Sequence, residues 1–117
     1  MVLGQAQQQQ EFDAMIRVTV SYPAQENARF DHSYYQQHHA QLIHQQLDAH
    51  GLLKLEIDQC LADGAGKAPP IVAAAHLFFA DMAQFQAAFA AGGKALNEDI
   101  VNYSDIVPVV TISQVIA

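Results

Sequence analysis

The sequence predicts an α+β domain in which one four-stranded sheet carries two helices on a single face. Four segments have the strict alternation or the short apolar runs of strands, and two have the spacing of amphipathic helices. An aspartate stands at a plausible N-cap position before each helical segment, where its carboxylate can accept a bond from a free backbone N–H. With 117 residues, 51% of them apolar, the chain is long enough for one hydrophobic core.

The first half of the chain supplies a strand, a helix and a second strand. AMIRVTVSY, residues 14–22, alternates apolar and polar side chains, which indicates a strand with two different faces. The first helix is expected to begin after Asp31 and to end at His50, because Gly51 suits the left-handed position that follows a helix. LLKLEIDQCLA, residues 52–62, alternates again and predicts the second strand.

The second half supplies a strand, a helix and a last strand. IVAAAHLFF, residues 71–79, is apolar on both faces and predicts a buried strand. Asp81 is expected to cap a helix that ends at Gly92–Gly93, with a short further helical turn over residues 94–100. The last strand is expected from about residue 105 to residue 115. The predicted buried stripe of the second helix consists of Met82, Phe85 and Phe89.

The order β-α-β-β-α-β is the split-βαβ, or ferredoxin-like, pattern, in which the sheet face opposite the helices is uncovered. In this sequence the third and fourth strands are apolar on both sides. A large exposed apolar face acts as an association surface, and two-fold dimers are the commonest oligomers. We therefore expect a homodimer in which two sheets pack face to face; the alternative is that the strand ends are only hydrophobic edges. In the last strand the two faces are expected to be Ile106, Val110 and Ile112 against Val107, Val109 and Val115.

Charge and composition exclude several classes of partner. The formal net charge is −7, from five basic and twelve acidic residues, so neither nucleic acid nor an anionic membrane surface is an expected partner. Residues 1–13 are glutamine-rich and are expected to be a disordered tail, or a segment left by cloning, before a domain of residues 14–117. The start lacks the features of a secretory signal, and Cys60 is the only cysteine, so the cytoplasm is the simplest location.

The stretch FDHSYYQQHHAQLIHQQL, residues 30–47, holds four of the six histidines within one predicted helix. Two histidines on a helix can share a metal ion when they are three or four residues apart, because only then do they lie on one face. None of the pairs has that spacing, so no metal site is predicted without ligands from elsewhere, such as His76 or Glu56. The four histidines are His32, His38, His39 and His44.

One histidine of this helix differs from its neighbours because it lies on the apolar stripe. His39 follows Tyr35 by one turn, and both are expected to face the sheet. An inward imidazole beside a phenol could act as a general acid or base near neutral pH. The alternative is a core histidine whose hydrogen bonds are satisfied by a backbone carbonyl or by Tyr35. The full stripe is Tyr35, His39, Leu42, Ile43 and Leu47.

Two polar residues on the predicted strands are further candidates. His76 lies between alanines and phenylalanines, where the small side chains leave room for a ligand or for another side chain. It could equally be a satisfied buried histidine or part of a dimer interface. Arg17 could pair with an acidic residue of a partner chain or meet an anionic ligand.

Three stretches of the sequence resemble the EthD family of the dimeric α+β barrel superfamily, named for a part in ethyl tert-butyl ether degradation. VTVSYPAQENARFDHSYYQQHHAQLI is similar to the first strand and the helix start F-D-x-x-Y-Y-x-x-x-H of that family. AAAHLFFADMAQFQAAF resembles the strand that leads into its second helix, and VNYSDIVPVVTISQV resembles its N-Y-[ST]-D-I-x-P ending. Together with the segments between them, they extend the resemblance over nearly all of residues 15–117.

The resemblance implies site residues as well as a fold. The family histidine falls on His39, and Tyr34 and Tyr35 take the place of its paired tyrosines. Gln41 stands where the family usually has a proline. The superfamily includes cofactor-free monooxygenases, cyclases, isomerases and dehydratases, which share a pocket between helices and sheet. The C-terminal motif of the family falls on Asn102, Tyr103 and Asp105.

The function expected from these observations is a small-molecule catabolic enzyme related to oxidoreductases and acting without an organic cofactor. A hydrophobic or aromatic molecule would bind between the first helix and the sheet, with His39 moving a proton and Tyr35 assisting it. The alternatives are a binding or accessory protein that performs no chemistry on a hydrophobic metabolite, and a structural dimer module with a filled core. Residues expected to bind the substrate are Tyr34, His76, Tyr103 and Arg17.

Overall fold

Four strands and two helices follow one another in the predicted order β-α-β-β-α-β. The protein is described by a computed structural model over residues 15–117, so the predicted tail, residues 1–13, lies outside the described residues. Both flanks of β2 and the start of β4 are irregular, so these strands are shorter than the sequence suggests. The strands are β1, Ile16–Pro23; β2, Lys54–Gln59; β3, Ile71–Phe79; and β4, Val109–Gln114.

The four strands form one antiparallel sheet in the order β2-β3-β1-β4. Val18 lies opposite Leu77 on β3 and Ile112 on β4, which places these three apolar side chains on the same face. The alternation predicted for β1 is therefore the pattern that fixes the register, because a one-residue slip would turn these side chains to the other face.

Helix α1 begins after Asp31, whose side chain accepts a hydrogen bond from the Tyr34 amide, as expected of an N-cap. It ends at Gly51, which has the left-handed conformation predicted for that position (φ 104°). Between them the helix is not uniform. It is α-helical over His32–Tyr34, π-helical over Tyr35–His39, α-helical over Ala40–Leu47, and 3₁₀-helical over Asp48–His50.

Helix α2 spans Met82–Asp99 and is followed by a 3₁₀ turn, Ile100–Asn102. The prediction that it ends at Gly92–Gly93 is wrong, because both glycines lie inside the helix. A Cβ on Gly92 would stand 2.8 Å from the Cβ of Gln46, so this glycine allows α1 and α2 to approach closely. Met82 is 40% exposed, which corrects its place in the predicted stripe. The buried positions of α2 are Ala88, Gly92 and Leu96.

The hydrophobic core lies between the two helices and one face of the sheet. The opposite face is less apolar than the sequence predicts. Its centre carries His76 beside Thr19, with Arg17 and Asp58 nearby, although Val109 on the same face is 52% exposed. The described part of the chain contains no helix with the length and hydropathy needed to cross a bilayer.

Candidate functional site

A cavity of about 110 Å³ lies between α1, α2 and the helix-covered face of the sheet. Its walls are mostly aliphatic and aromatic, and its polar groups come from a few side chains, which is the usual form of a small-molecule site. Its rim lies beside β4, where Val110 is 53% exposed because neither helix covers this edge strand. The lining residues that carry polar side-chain atoms are Tyr22, Tyr35, His39 and Asn97.

His39 lies in the cavity wall and is paired with a carboxylate on the other helix. Its Nδ1–H donates to Oδ2 of Asp99 over 2.8 Å, and the two side chains are 6% and 12% exposed. Burial lowers the pKa of His39, and the nearby Asp99 carboxylate, which acts to raise it, does not offset this effect. At neutral pH the imidazole is therefore uncharged, with the lone pair on Nε2.

Asp99 accepts hydrogen bonds from three side chains. Tyr34 donates its O–H to Oδ1 over 2.7 Å, and Asn102 donates its side-chain N–H to the same oxygen over 2.9 Å. Burial acts to raise the pKa of Asp99, but the hydrogen bonds from Asn102, His39 and Tyr34 together lower it below its usual range. The carboxylate therefore stays ionised and holds the His39 ring in one orientation and one tautomer.

A chain of hydroxyl groups continues from the other nitrogen of His39. Because Nδ1 donates to Asp99, Nε2 must accept, and Tyr103 donates its O–H to it over 3.3 Å. Tyr22 in turn donates its O–H to the Tyr103 oxygen over 2.5 Å. Burial raises the pKa of both tyrosines, so both remain neutral phenols. Tyr22 and His39 line the cavity, and Tyr103, which is fully buried, connects them.

Tyr35 lines the same cavity but has no hydrogen-bonding partner for its hydroxyl among the described residues. Its side chain is 1% exposed, and its ring stacks on the His39 ring at 5.6 Å between centroids. Burial raises its pKa far above the usual value, so Tyr35 is a neutral phenol. The π-helical segment that holds Tyr35 and His39 is a feature often found at functional sites.

The structure brings some of the predicted site residues together and separates others. His39 and Tyr35 line the cavity. Tyr34 and Tyr103 do not line the cavity, but they are hydrogen-bonded to the His39–Asp99 pair. His76 and Arg17 lie on the opposite face of the sheet. There the His76 ring is hydrogen-bonded to Asp58 over 2.7 Å and to Thr19 over 3.2 Å.

Neither the pairing of His39 with Asp99 nor the place of Tyr22 in the cavity lining is predicted from the sequence. Asp99 is 60 residues away from His39, and it was placed beyond the second helix because that helix was expected to end at Gly92–Gly93. A helix continued through the glycines would have placed Asp99 in its last turn. No group of three or more potential metal ligands occurs within residues 15–117.

The fold and the site together define a ferredoxin-like α+β domain with a small, mostly apolar cavity and a buried histidine–aspartate pair in its wall. The EthD domain model matches residues 23–106, which is more than half of the chain. The chain belongs to the EthD family, as the resemblance in its motifs indicated. Among curated proteins, none matches this sequence significantly.

Solved structures agree with this assignment. An EthD-like protein from Ralstonia eutropha JMP134 is 36% identical, with a TM-score of 0.82 over 90% of this chain and 95% of that protein. Hydroxynitrile lyase from Passiflora edulis has a TM-score of 0.65 at 11% identity, over 88% and 94% of the two chains. A dimeric ferredoxin-like protein from Bacteroides fragilis NCTC 9343 has a TM-score of 0.54 at 9% identity, over 87% and 97%. The last two share only the fold with this chain.

Proposed function

We propose that this protein is an enzyme that binds a small hydrophobic molecule in the cavity and moves a proton with His39, as a step in its breakdown. The observation that carries the proposal is the His39–Asp99 hydrogen bond of 2.8 Å at the wall of an apolar cavity. A neutral imidazole held by a carboxylate on one nitrogen has a basic lone pair on the other, which is the arrangement of a general base.

The proton has a defined path within this arrangement. A substrate C–H or O–H that reaches His39 would transfer its proton to Nε2, and the bonding electron pair would stay on the substrate. The imidazolium formed in this step is stabilised by the Asp99 carboxylate. The 3.3 Å bond from Tyr103 is long for a hydrogen bond to nitrogen, so Nε2 is only weakly engaged before substrate binds.

The cavity also bears on the alternative functions. A structural module with a filled core would have no space at His39 and Tyr35, and about 110 Å³ there argues against it. A binding protein that performs no chemistry needs the cavity but not the His39–Asp99 pair. The lyase from Passiflora edulis supports only the view that this fold can house catalysis on a small molecule.

Hydrogen–deuterium exchange tests the proposal without knowledge of the natural substrate. Small ketones are incubated with the protein in D₂O at pH 7, and deuterium at the α-carbon is followed by NMR. We expect exchange faster than with the same concentration of free imidazole, and a loss of about 10²-fold or more in His39→Gln. Exchange no faster than imidazole for every ketone would refute proton transfer and leave the binding protein as the better proposal.

The oligomeric state is part of the same proposal. The dimer is proposed to form through the open sheet face, and support comes from the exposed Val109 on that face and from a structural neighbour described as dimeric. The polar centre around His76 and Arg17 requires that charges of the two copies complement each other. Native mass spectrometry of the purified protein tests this directly: a monomer at micromolar concentration would contradict it.

A further inference from the structure

We infer, on the basis of the proposed function, that the ligand is a compact, uncharged molecule whose enclosed part has about six heavy atoms, and that Gly93 sets this size limit. The inference concerns which molecules enter the cavity, whereas the proposed function concerns what His39 does to them. It rests on three features: the charge of the lining, the volume of the cavity, and the difference between the two adjacent glycines of α2.

The lining contains no side chain with a permanent charge among the described residues. The ionisable lining groups among the described residues are the tyrosines, which are neutral phenols at pH 7 with pKa values raised further by burial, and His39, whose pKa burial lowers. An ammonium group in this cavity would meet no opposite charge among the described lining side chains, and a carboxylate would meet one only by protonating His39, whose pKa burial lowers. Burying an unpaired charge is strongly unfavourable. The ligand is therefore neutral in the part that the cavity encloses.

The cavity volume limits the enclosed part of the ligand. The cavity measures about 110 Å³, whereas an apolar cavity of about 150 Å³ binds benzene. A five- or six-membered ring is thus close to the upper limit. A longer ligand can extend only past the rim, where Val110 and Asn97 are exposed.

Gly92 and Gly93 are adjacent in α2, but they differ in what surrounds them. Gly92 is required by packing, because a Cβ there would lie 2.9 Å from the backbone oxygen of Gln46. At Gly93 the three nearest atoms to an added Cβ all belong to Phe89, one turn earlier in the same helix, and the closest is 3.3 Å away. Unlike Gly92, Gly93 is therefore not explained by a close approach of α1 to α2.

Glycine inside a helix is unfavourable compared with alanine, so a glycine without a packing role calls for another explanation. Gly93 lines the cavity together with Phe89, and a methyl group in its place would narrow the cavity at this part of its wall. The structure therefore assigns Gly93 the role of keeping the cavity wide enough for a ring. It is a size-determining residue and takes no part in the chemistry.

A series of ketones of increasing size, from open-chain acetone to an eight-membered ring, tests the inference. Binding of acetone, cyclopentanone, cyclohexanone and cyclooctanone is measured by NMR shift titration with the full-length protein and with Gly93→Ala. For the wild type we expect the affinity to rise about fourfold per enclosed methylene up to the six-membered ring and to fall for cyclooctanone. In Gly93→Ala we expect cyclohexanone to lose about tenfold or more, with acetone unchanged within about twofold.

Charged ligands of the same size provide the second half of the test. Cyclohexanecarboxylate and cyclohexylammonium are expected to bind at least about 100-fold more weakly than cyclohexanone to the wild-type protein. Tight binding of either ion would overturn the uncharged class. Three results would overturn the size limit. The affinities of Gly93→Ala could follow the wild-type order of ring sizes, acetone could lose as much affinity as cyclohexanone, or the wild type could bind no ketone saturably.

The outcomes for the two proposals can be told apart. Ring-size selectivity without deuterium exchange would support this inference and refute the proposed proton transfer. Deuterium exchange together with a ring selectivity that Gly93→Ala leaves unchanged would support the proposed proton transfer and refute this inference. Ketone binding and deuterium exchange are measured on variants whose folding is checked by thermal unfolding. Gly93→Ala is expected to fold because alanine favours the helix.

Discussion

The free hydroxyl of Tyr35 predicts that Tyr35→Phe stabilises the protein. A buried hydroxyl without a partner costs about 1–3 kcal/mol of folding free energy, and the substitution removes this cost. The vacated space, about half of a water's 30 Å³, costs about 0.4 kcal/mol at 24 cal/mol per Å³. The net expectation is an increase in the free energy of unfolding of about 1 kcal/mol, or about 4 °C in Tm.

Urea unfolding at pH 7.5 measures this change, and the same aromatic cluster offers a matched control. The Tyr22 hydroxyl is hydrogen-bonded to Tyr103 over 2.5 Å, so Tyr22→Phe should lose about 1 kcal/mol or more through the same loss of one oxygen. The two substitutions should therefore change stability in opposite directions. Equal destabilisation by both would refute the reasoning and would mean that the Tyr35 hydroxyl has a partner, such as an ordered water.

The remaining predictions concern the His39–Asp99 pair and the two glycines. Asp99→Asn offers His39 an amide donor in place of an acceptor, so the imidazole should change tautomer, which ¹⁵N NMR of His39 reports. Deuterium exchange should then fall by about 10²–10⁴-fold. Because the pKa of folded His39 lies below its ordinary 6.5, the unfolded chain binds the proton first, and the free energy of unfolding should fall as the pH decreases from about 6.5 towards that pKa. Urea unfolding at pH 7.5 and 5.5 measures this decrease in the free energy of unfolding, and the contribution of His39 should be present in the wild type and absent in His39→Gln. Gly92→Ala should lose about 2 kcal/mol through its contact with Gln46, as chemical denaturation can show. Gly93→Ala should change stability by less than about 1 kcal/mol in the same assay, because the helix preference of alanine is opposed by a tight 3.3 Å contact of the added Cβ with the Phe89 ring.

Much of the fold could be predicted because its signals are local. The alternation in β1 and the apolar run of β3 correspond to their observed bounds within a few residues, and both aspartate N-caps accept the amide bond expected of them. The inward position of His39 also followed from local periodicity, and the structure places it at 5% exposure. Such features depend on neighbours within one turn or one strand.

The errors arose where contacts between distant residues outweigh local preference. A glycine pair is usually a helix end, but Gly92 is needed where α1 and α2 approach, so the helix continues through it. The partner of His39 could not be derived from spacing, because Asp99 reaches it from the other helix. The open sheet face is more polar than expected because the prediction considered β3 and β4 and left out the polar residues contributed by β1 and β2.

The π-helical turn has a consequence for how the chain can vary in length. A π turn contains one residue more than the α-helical turn it replaces, since its bonds close over five residues and not four. Removing the exposed Gln36 or Gln37 would restore an ordinary helix there without changing the register on either side, whereas a deletion elsewhere in α1 would rotate the following residues by about 100°. Relatives without this turn would therefore align with a one-residue gap inside a helix, and that gap would mark the loss of the Tyr35–His39 arrangement.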